Sequence, residues 1–276
     1  MKTIKLEKSI LQIPQSVIAL GFFDGIHLAH QKLLNETKSI SSFLNLPSMV
    51  FSFSQHPRNT TSAVPCEPLL TTLREKTEIL SSYGIDYFCY MDFNEIIMKK
   101  SPDEFIRQIL VKRLNARVLI HGYNYHFGHM ASGDGVILKK RGIKYGFITQ
   151  TIAPVKFDKH IVSSSFVRNL IKKGDISSAN KYLGRNYSVS ARIQLKSSSD
   201  HLVYSVRFDP EKILPEKGSF KINIETENCL NKGILNIGKR NSVIEIKNKV
   251  SKEVTLNISA RIIFERQLRD IINYDI

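Results

Sequence analysis

The sequence predicts an α/β protein in which a Rossmann-like, doubly wound parallel sheet is followed by a small antiparallel β-barrel-like domain. In residues 1–186, short apolar runs alternate with longer amphipathic stretches, which is typical of parallel strands joined by helices. In residues 187–276, short segments of alternating polar and apolar residues are separated by polar turns, which indicates an antiparallel sheet or small barrel. We therefore predict two domains, 1–186 and 187–276.

The first domain is expected to alternate strands and helices, and several helix ends are marked in the sequence. Thr72 and Glu75 have capping-box spacing, and Ser101 followed by Pro102 is a typical helix start. The predicted strands span residues 16–23, 48–53, 87–91, 118–121 and 146–152. The predicted helices span residues 27–42, 72–83, 133–142, 164–173 and 176–183, and one more begins at Ser101.

The second domain is expected to consist of short strands with polar turns between them. The predicted strands span residues 187–195, 202–208, 219–225, 233–237, 243–246 and 253–263. A terminal helix is expected over residues 263–274.

The composition places the chain among ordinary globular proteins. Of its 276 residues, 42% are hydrophobic and 24% are charged, which excludes a disordered or low-complexity chain. Cys66, Cys89 and Cys229 are far apart in the sequence, so neither a disulfide framework nor a cysteine zinc site is predicted. No membrane span or signal peptide is predicted either, and we expect a soluble, cytoplasmic protein of undetermined oligomeric state.

The chain is strongly basic. Its 40 lysines and arginines against 25 aspartates and glutamates leave a formal net charge of +15, and residues 1–186 hold 25 of the basic and 14 of the acidic side chains. An anionic ligand is therefore expected in the first domain. The longest basic run is residues 139–141, and no nucleic-acid-binding motif is present, so phosphorylated small molecules are favoured over nucleic acid.

The segment between the first strand and the first helix is the strongest candidate for a functional site. The glycines in this segment let the backbone turn tightly and approach a phosphate, and in a doubly wound sheet phosphates bind at this position. His27 and His30 are three residues apart on one face of the first helical turn, at a helix start that is expected to face the surface. Alone, such a pair is typical of a capped turn with two surface histidines. Together with the preceding loop, it predicts stabilisation of negative charge on a phosphate. The loop residues are Gly21, Phe22, Phe23, Asp24 and Gly25.

Residues 21–31 resemble the G-x-F-D-G-x-H-x-G-H-Q signature of the bacterial FAD synthetase family, which belongs to the HxGH nucleotidyltransferase superfamily. Ala29 stands where that family has a glycine between the histidines. Residues 162–168 resemble the second signature of the family, I-S-S-T-x-I-R. A serine run before a helix is by itself typical of a cap. The resemblance implies that hydroxyl and N–H groups here hold phosphate oxygens, with Arg168 supplying a fixed positive charge. The serines are Ser163, Ser164 and Ser165.

Three further segments resemble motifs of the same family. Residues 53–58 resemble F-x-x-H-P, residues 70–76 resemble L-T-x-x-x-E-K, and residues 122–134 resemble G-x-N-F-R-F-G…G-D, with His126 where arginine is common. Each of these three segments, taken alone, is explained by a turn, a helix cap or core packing. The two signatures and the three further segments together, in this order, indicate the family. The resemblance implies that His56, Pro57 and Asn124 contact the flavin.

In bifunctional members of the family the C-terminal region is a riboflavin kinase barrel with an early G-F-P-T-A-N stretch. Residues 191–208 contain no such stretch, although residues 236–240 resemble the kinase motif N-x-G-x-R and Glu245 is near the position of the catalytic carboxylate. The resemblance implies a retained barrel that has lost kinase chemistry.

The implied reaction is transfer of AMP from ATP to FMN, giving FAD and pyrophosphate. Mg²⁺ would bridge phosphates and keep several waters, so no dedicated metal-ligating side chains are predicted. Three alternatives remain open at this point. They are a bifunctional riboflavin kinase/FAD synthetase, a related nucleotidyltransferase with another phosphorylated acceptor, and a non-catalytic flavin- or nucleotide-binding regulator.

Overall fold

A computed structural model describes residues 1–6, 13–55, 67–197, 202–227, 229–238, 242–246 and 257–268. By their internal contacts these residues form two compact units, Met1–Glu67 with Thr71–Val162, and Pro68–Leu70 with Ser163–Ile276. The two helices before residue 186 group with the second unit. The functional boundary after residue 186 stays a prediction.

The first unit is built on a six-stranded parallel sheet with the order β1-β4-β3-β2-β5-β6. Its strands are β1 (Lys2–Lys5), β2 (Ser16–Leu20), β3 (Ser48–Phe53), β4 (Tyr87–Met91), β5 (Ala116–Gly122) and β6 (Ile148–Ile152). The strand order reverses between β2 and β5, which is the position where ligands bind in open α/β sheets. The predicted doubly wound sheet is confirmed. Strand β1 is not predicted because Ile4 is its only buried residue, which makes the period-two pattern too short to detect.

Helices cover both faces of this sheet. They are α1 (Leu28–Leu44), α2 (Leu73–Ser82), α3 (Glu95–Met98), α4 (Pro102–Phe105, continued by a π-helical segment Ile106–Val111) and α5 (Gly135–Tyr145). A 3₁₀ turn (His129–Ala131) and a small hairpin of β7 (Lys156–Phe157) and β8 (His160–Ile161) complete the unit. The two predicted helix starts at Thr72 and Ser101 are confirmed, and each has a capping box, with Glu75 and Glu104 respectively.

The core of the first unit has two apolar clusters, one on each side of the sheet. Val17 and Ala19 of β2 belong to one cluster, whereas Ile18 and Leu20 belong to the other. This division follows from the strand geometry, because successive side chains point to opposite faces. All five residues of β2 are buried, which identifies it as a central strand and fixes the position of the segment that follows it.

The second unit contains two helices, α6 (Ser164–Lys172) and α7 (Ile176–Leu183), and a closed antiparallel barrel with the order β10-β13-β12-β11-β14-β9. Its strands are β9 (Tyr187–Ser197), β10 (Leu202–Phe208), β11 (Gly218–Glu225), β12 (Leu230–Ile237), β13 (Ser242–Ile246) and β14 (Asn257–Leu268). The predicted barrel is thereby confirmed.

The predicted terminal helix is wrong in its described part. Residues 263–268 continue β14, which pairs with both β9 and β11 and so closes the barrel. Ile262 and Phe264 are fully buried, as the alternation of a strand requires. Residues 269–274 of that prediction lie outside the described residues.

A short segment, Pro68–Leu70, belongs to the second unit although its neighbours in sequence belong to the first. The Leu69 N–H donates to the Glu211 carbonyl at 2.7 Å, and the Ile213 N–H donates to the Leu69 carbonyl at 3.0 Å. The Lys212 ammonium, which is 5% exposed, donates to the Leu70 carbonyl at 2.5 Å. The segment is therefore held to the second unit by hydrogen bonds on both sides of its backbone.

Across the described part of the chain, no helix has the length and apolar character that crossing a membrane requires.

Candidate active site

The segment between β2 and α1 has a strained backbone. Phe23 and Ile26 have φ values of 56° and 39°, in the left-handed region that bulky side chains avoid. Each such residue costs about 1–3 kcal/mol and persists only where its surroundings fix it. Both side chains are fully buried in the core. A Cβ at Gly21 would lie 3.1 Å from the Phe23 ring, so a larger residue at 21 would require this buried ring to shift by a few tenths of an ångström.

Asp24 anchors this loop to the residues that precede α2. Its Oδ1 accepts hydrogen bonds from the Thr71 N–H at 2.9 Å and the Thr71 hydroxyl at 3.2 Å. The Gly25 N–H in turn donates to the Thr71 hydroxyl oxygen at 2.9 Å. Asp24 is 1% exposed, so its carboxylate is part of the loop's internal support. A direct contact with a ligand stays a prediction for Asp24.

His27 and His30 come together at the start of α1. Their rings stack at a centroid distance of 3.7 Å and an interplanar angle of 10°. His27 is the N-cap of the helix, and its Nδ1 accepts a hydrogen bond from the His30 N–H at 3.4 Å. The expectation that both histidines face the surface is wrong for His27, which is 4% exposed because it caps the helix and its ring stacks on that of His30. His30 is half-buried and also packs against Phe23, at 5.1 Å between ring centroids.

A buried lysine lies beneath the loop. Lys76 of α2 is 2% exposed, and its Nζ donates to the Phe22 carbonyl at 2.6 Å and lies 3.4 Å from the Ser52 hydroxyl. Burial lowers the pKa of Lys76 to about 8, and the negative charge of Asp24 opposes part of that shift. In the sequence, Lys76 stands out only as the last residue of the segment 70–76 that resembles L-T-x-x-x-E-K. The sequence signal for its burial is that this lysine lies on the face of α2 that packs against the sheet.

The second predicted group of site residues lies at the start of α6. The Ser163 hydroxyl caps this helix by accepting from the Phe166 N–H at 3.3 Å. Ser164 is half-buried and Ser165 is exposed. Arg168 is 4% exposed, and its Nε donates to the Pro68 carbonyl at 2.9 Å. The helix start is confirmed, and contacts of these residues with phosphate stay a prediction.

The predicted flavin-side residues are described only in part. His56 and Pro57 lie outside the described residues. Asn124 is exposed, and its backbone carbonyl oxygen lies 3.0 Å from the His126 Nδ1. Tyr125 and Phe127 on either side of His126 stack at 5.7 Å between ring centroids and pack in the core, as the core-packing explanation of this motif requires.

One contact in the barrel bears on kinase chemistry, because it involves Glu245, which lies near the predicted position of the catalytic carboxylate. The Asn236 amide donates to the Glu245 carboxylate at 3.3 Å and accepts from the Ser219 hydroxyl at 2.6 Å. A separate cleft of about 650 Å³ lies over β9, β10 and β14. Its polar lining residues are Arg192, Gln194, Ser205, Arg207 and Ser259.

Within the described ranges, no group of three or more histidine, cysteine, aspartate or glutamate side chains is placed to hold a metal ion.

Comparison with known proteins gives relatives over most of the chain. The family described as FAD synthetase matches residues 10–166. The bifunctional riboflavin kinase/FMN adenylyltransferase of Buchnera aphidicola subsp. Acyrthosiphon pisum is 30% identical over 264 residues, which cover 93% of this chain and 83% of the relative. The protein of the same name from Escherichia coli K12 is 30% identical over 261 residues, covering 91% and 82%. That of Bacillus subtilis is 27% identical over 237 residues, covering 84% and 74%.

A solved structure is similar to the whole chain. The crystal structure of a macrolide-efflux protein from Streptococcus pneumoniae has a TM-score of 0.85 and 21% identity, and the match covers 100% of this chain and 93% of that one. At this identity the similarity concerns the fold alone. The family match spans more than half of the chain, and it includes the loop, the stacked histidines and the buried lysine. The chain belongs to the FAD synthetase family.

Proposed function

We propose that this protein transfers AMP from ATP to the 5′-phosphate of FMN, giving FAD and pyrophosphate. The observation that carries the proposal is the stacked pair His27 and His30 at the N-terminus of α1. This pair follows β2, next to the reversal of strand order, where the N–H groups of a helix start favour a bound phosphate. The names of the relatives support the same reaction.

The chemistry requires no protein nucleophile. An oxygen of the FMN phosphate attacks the α-phosphorus of ATP, and pyrophosphate leaves with the electron pair of the bond that breaks. Since Nδ1 of His27 accepts a hydrogen bond, a neutral ring carries its proton on Nε2, and in this proposal the Nε2–H donates to a phosphate oxygen when ATP binds. With the ring held by the helix cap, this donor is already oriented before ATP binds, and preorganised donors of this kind stabilise the charge that develops in the transition state.

Within this proposal, the other predicted site residues bind the two substrates. The hydroxyls of Ser163, Ser164 and Ser165 and the guanidinium of Arg168 hold the pyrophosphate side of ATP. His56, Pro57 and Asn124 contact the flavin. Mg²⁺ bound with ATP would neutralise phosphate charge, and no side chain of the described residues is assigned to hold it. Residues 1–186 form the transferase domain, and the protein acts in the cytoplasm on small molecules, with neither nucleic acid nor membrane as partner.

The test is to incubate the protein with FMN, ATP and Mg²⁺ and to separate the products by chromatography. FAD and pyrophosphate in equal amounts support the proposal. AMP transfer to another phosphorylated acceptor but not to FMN would indicate a different nucleotidyltransferase. Tight binding of FMN or ATP without product would indicate a regulator.

We further propose that riboflavin kinase activity is absent, so riboflavin, ATP and Mg²⁺ are expected to yield no FMN under conditions in which FMN yields FAD. A flavokinase must anchor a γ-phosphate and its metal beside the ribityl hydroxyl. Residues 191–208 supply no Pro-Thr turn for that purpose. The measurement is chromatography of the flavins after a long incubation, with the FMN reaction as the positive control.

One contact favours the bifunctional alternative. Glu245 is held by Asn236, as a catalytic carboxylate oriented by a neighbouring amide would be. Steady production of FMN from riboflavin, abolished by Glu245→Gln, would establish this alternative and overturn the proposed loss of kinase activity.

A further inference from the structure

The Phe22 carbonyl is held on the inner side of the loop by two donors. The Lys76 ammonium donates to it at 2.6 Å and the Ser52 hydroxyl donates to it at 2.9 Å. The same ammonium lies 4.0 Å from the centroid of the Phe22 ring, which adds a cation–π contact. Lys76 and Ser52 are both almost fully buried, so water does not compete for this carbonyl.

The direction of this carbonyl fixes the next N–H group. In a trans peptide the C=O and N–H point in opposite directions, so a Phe22 carbonyl that points inward turns the Phe23 N–H outward. This orientation is the strained one, because Phe23 then has a φ of 56°. Rotating the peptide by half a turn would change the φ of Phe23 from 56° to about −124°, outside the left-handed region that bulky side chains avoid. Something must therefore hold the peptide against that rotation.

We propose that Lys76 is a positioning residue that latches the Phe22–Phe23 peptide, so that the Phe23 N–H faces the bound phosphate and the turn into His27 keeps its shape. The proposal rests on the proposed adenylyl transfer for its kinetic readout. It assigns to the buried lysine a part in the reaction without any contact with substrate.

The chemistry of the side chain supports this assignment. Burying an ammonium is costly, and replacing a buried charge by an apolar side chain of similar volume is often neutral or stabilising. A methionine would fill the same position on α2, so packing alone does not account for a lysine there. What the ammonium adds is a charge-assisted hydrogen bond to a backbone oxygen, which is about twice as strong as a neutral one.

The dependence on pH gives a signature that a purely structural role lacks. The ammonium contacts Phe22 of the loop and the neutral Ser52 of β3. The charged group that acts on it is Asp24 of the loop. Because the pKa of Lys76 is about 8 in the folded protein and 10.5 ordinarily, the unfolded chain binds more protons between these values. Because of this group, the free energy of unfolding is expected to rise between pH 8 and pH 10.5. Over the same range Lys76 loses its charge, and its hydrogen bond to the Phe22 carbonyl weakens.

The experiment compares Lys76→Met and Lys76→Arg with Lys139→Met, which removes an exposed lysine of α5 as the control. Lys76→Met is expected to unfold at the wild-type temperature or above it, and to lower kcat about 10-fold or more with KM for FMN within about twofold. Lys76→Arg is expected to recover part of kcat, because the charge and a donor remain. The wild-type kcat is expected to fall as the pH rises past 8, and the fall is expected to be absent from Lys76→Met.

A crystal structure of Lys76→Met provides the readout that does not depend on activity. A negative Phe23 φ with its N–H turned inward supports the latch, even if the wild-type protein fails to make FAD and the proposed function is wrong. A Phe23 φ that stays near 56° together with an unchanged kcat would overturn the latch. If Lys76→Met fails to fold, the kcat and Phe23 conformation of Lys76→Gln decide in the same way.

Discussion

Replacing His30 by alanine is expected to slow adenylyl transfer about 10²- to 10³-fold, the loss seen when one donor to a developing oxyanion is removed. His30 is half-buried on the first turn of α1, so its removal leaves no large cavity and the fold is expected to survive. The measurement is kcat/KM for ATP alongside the midpoint of thermal unfolding. His129→Ala is the matched control, because it removes an exposed histidine of the same unit.

His27 requires a different pair of variants because it also caps α1. His27→Ala removes both the imidazole and the cap, so a cost of about 1 kcal/mol in stability is expected together with the loss of activity. His27→Asn restores an acceptor for the His30 N–H and is expected to recover the stability but not the activity. Wild-type turnover in both His30→Ala and His27→Asn would show that the stacked pair has no part in the reaction.

Arg168→Ala is expected to raise KM for ATP about 10- to 100-fold, the range that loss of one or two charged hydrogen bonds gives. It also leaves the Pro68 carbonyl without the Nε donor, so a lower unfolding temperature is expected as well. Arg168→Lys is expected to recover only part of the affinity, since lysine lacks the planar fork that holds two oxygens at once. The measurement is steady-state kinetics with ATP varied, and KM for FMN is the internal reference.

A control for net charge is available on the same helix. Lys172→Ala removes an exposed positive charge one turn further along α6 and is expected to change KM for ATP little. If Arg168→Lys bound ATP as the wild type does, simple charge rather than a bidentate contact would hold the phosphates. If Arg168→Ala changed only the unfolding temperature, the role of the arginine would be structural.

The sequence predicts most of the secondary structure because apolar periodicity and helix caps are local signals. The end of β2 is the instructive exception. The apolar pair Phe22 and Phe23 extends the predicted strand to residue 23, but the strand ends at Leu20. Phe23 is buried under a turn instead of within the sheet, and a positive φ leaves no trace in an apolar pattern.

The candidate site is predictable where it depends on residue type and hidden where it depends on distant contacts. The pairing of His27 and His30 follows from their spacing, whereas the burial of His27 depends on its cap. The contact between Arg168 and Pro68 joins residues 100 positions apart. The ammonium of Lys76 reaches a carbonyl 54 positions away, which no local pattern contains.

The segment Pro68–Leu70 limits how chimeras between this chain and its relatives can be constructed. Because its backbone pairs with Glu211 and Ile213, neither compact unit is encoded by one uninterrupted stretch of the gene. A chimera made by a single crossover near residue 186 would join this segment from one parent to its partners Glu211, Lys212 and Ile213 from the other. Exchanging the barrel between relatives therefore requires two additional crossovers, so that residues 68–70 and the barrel come from the same parent.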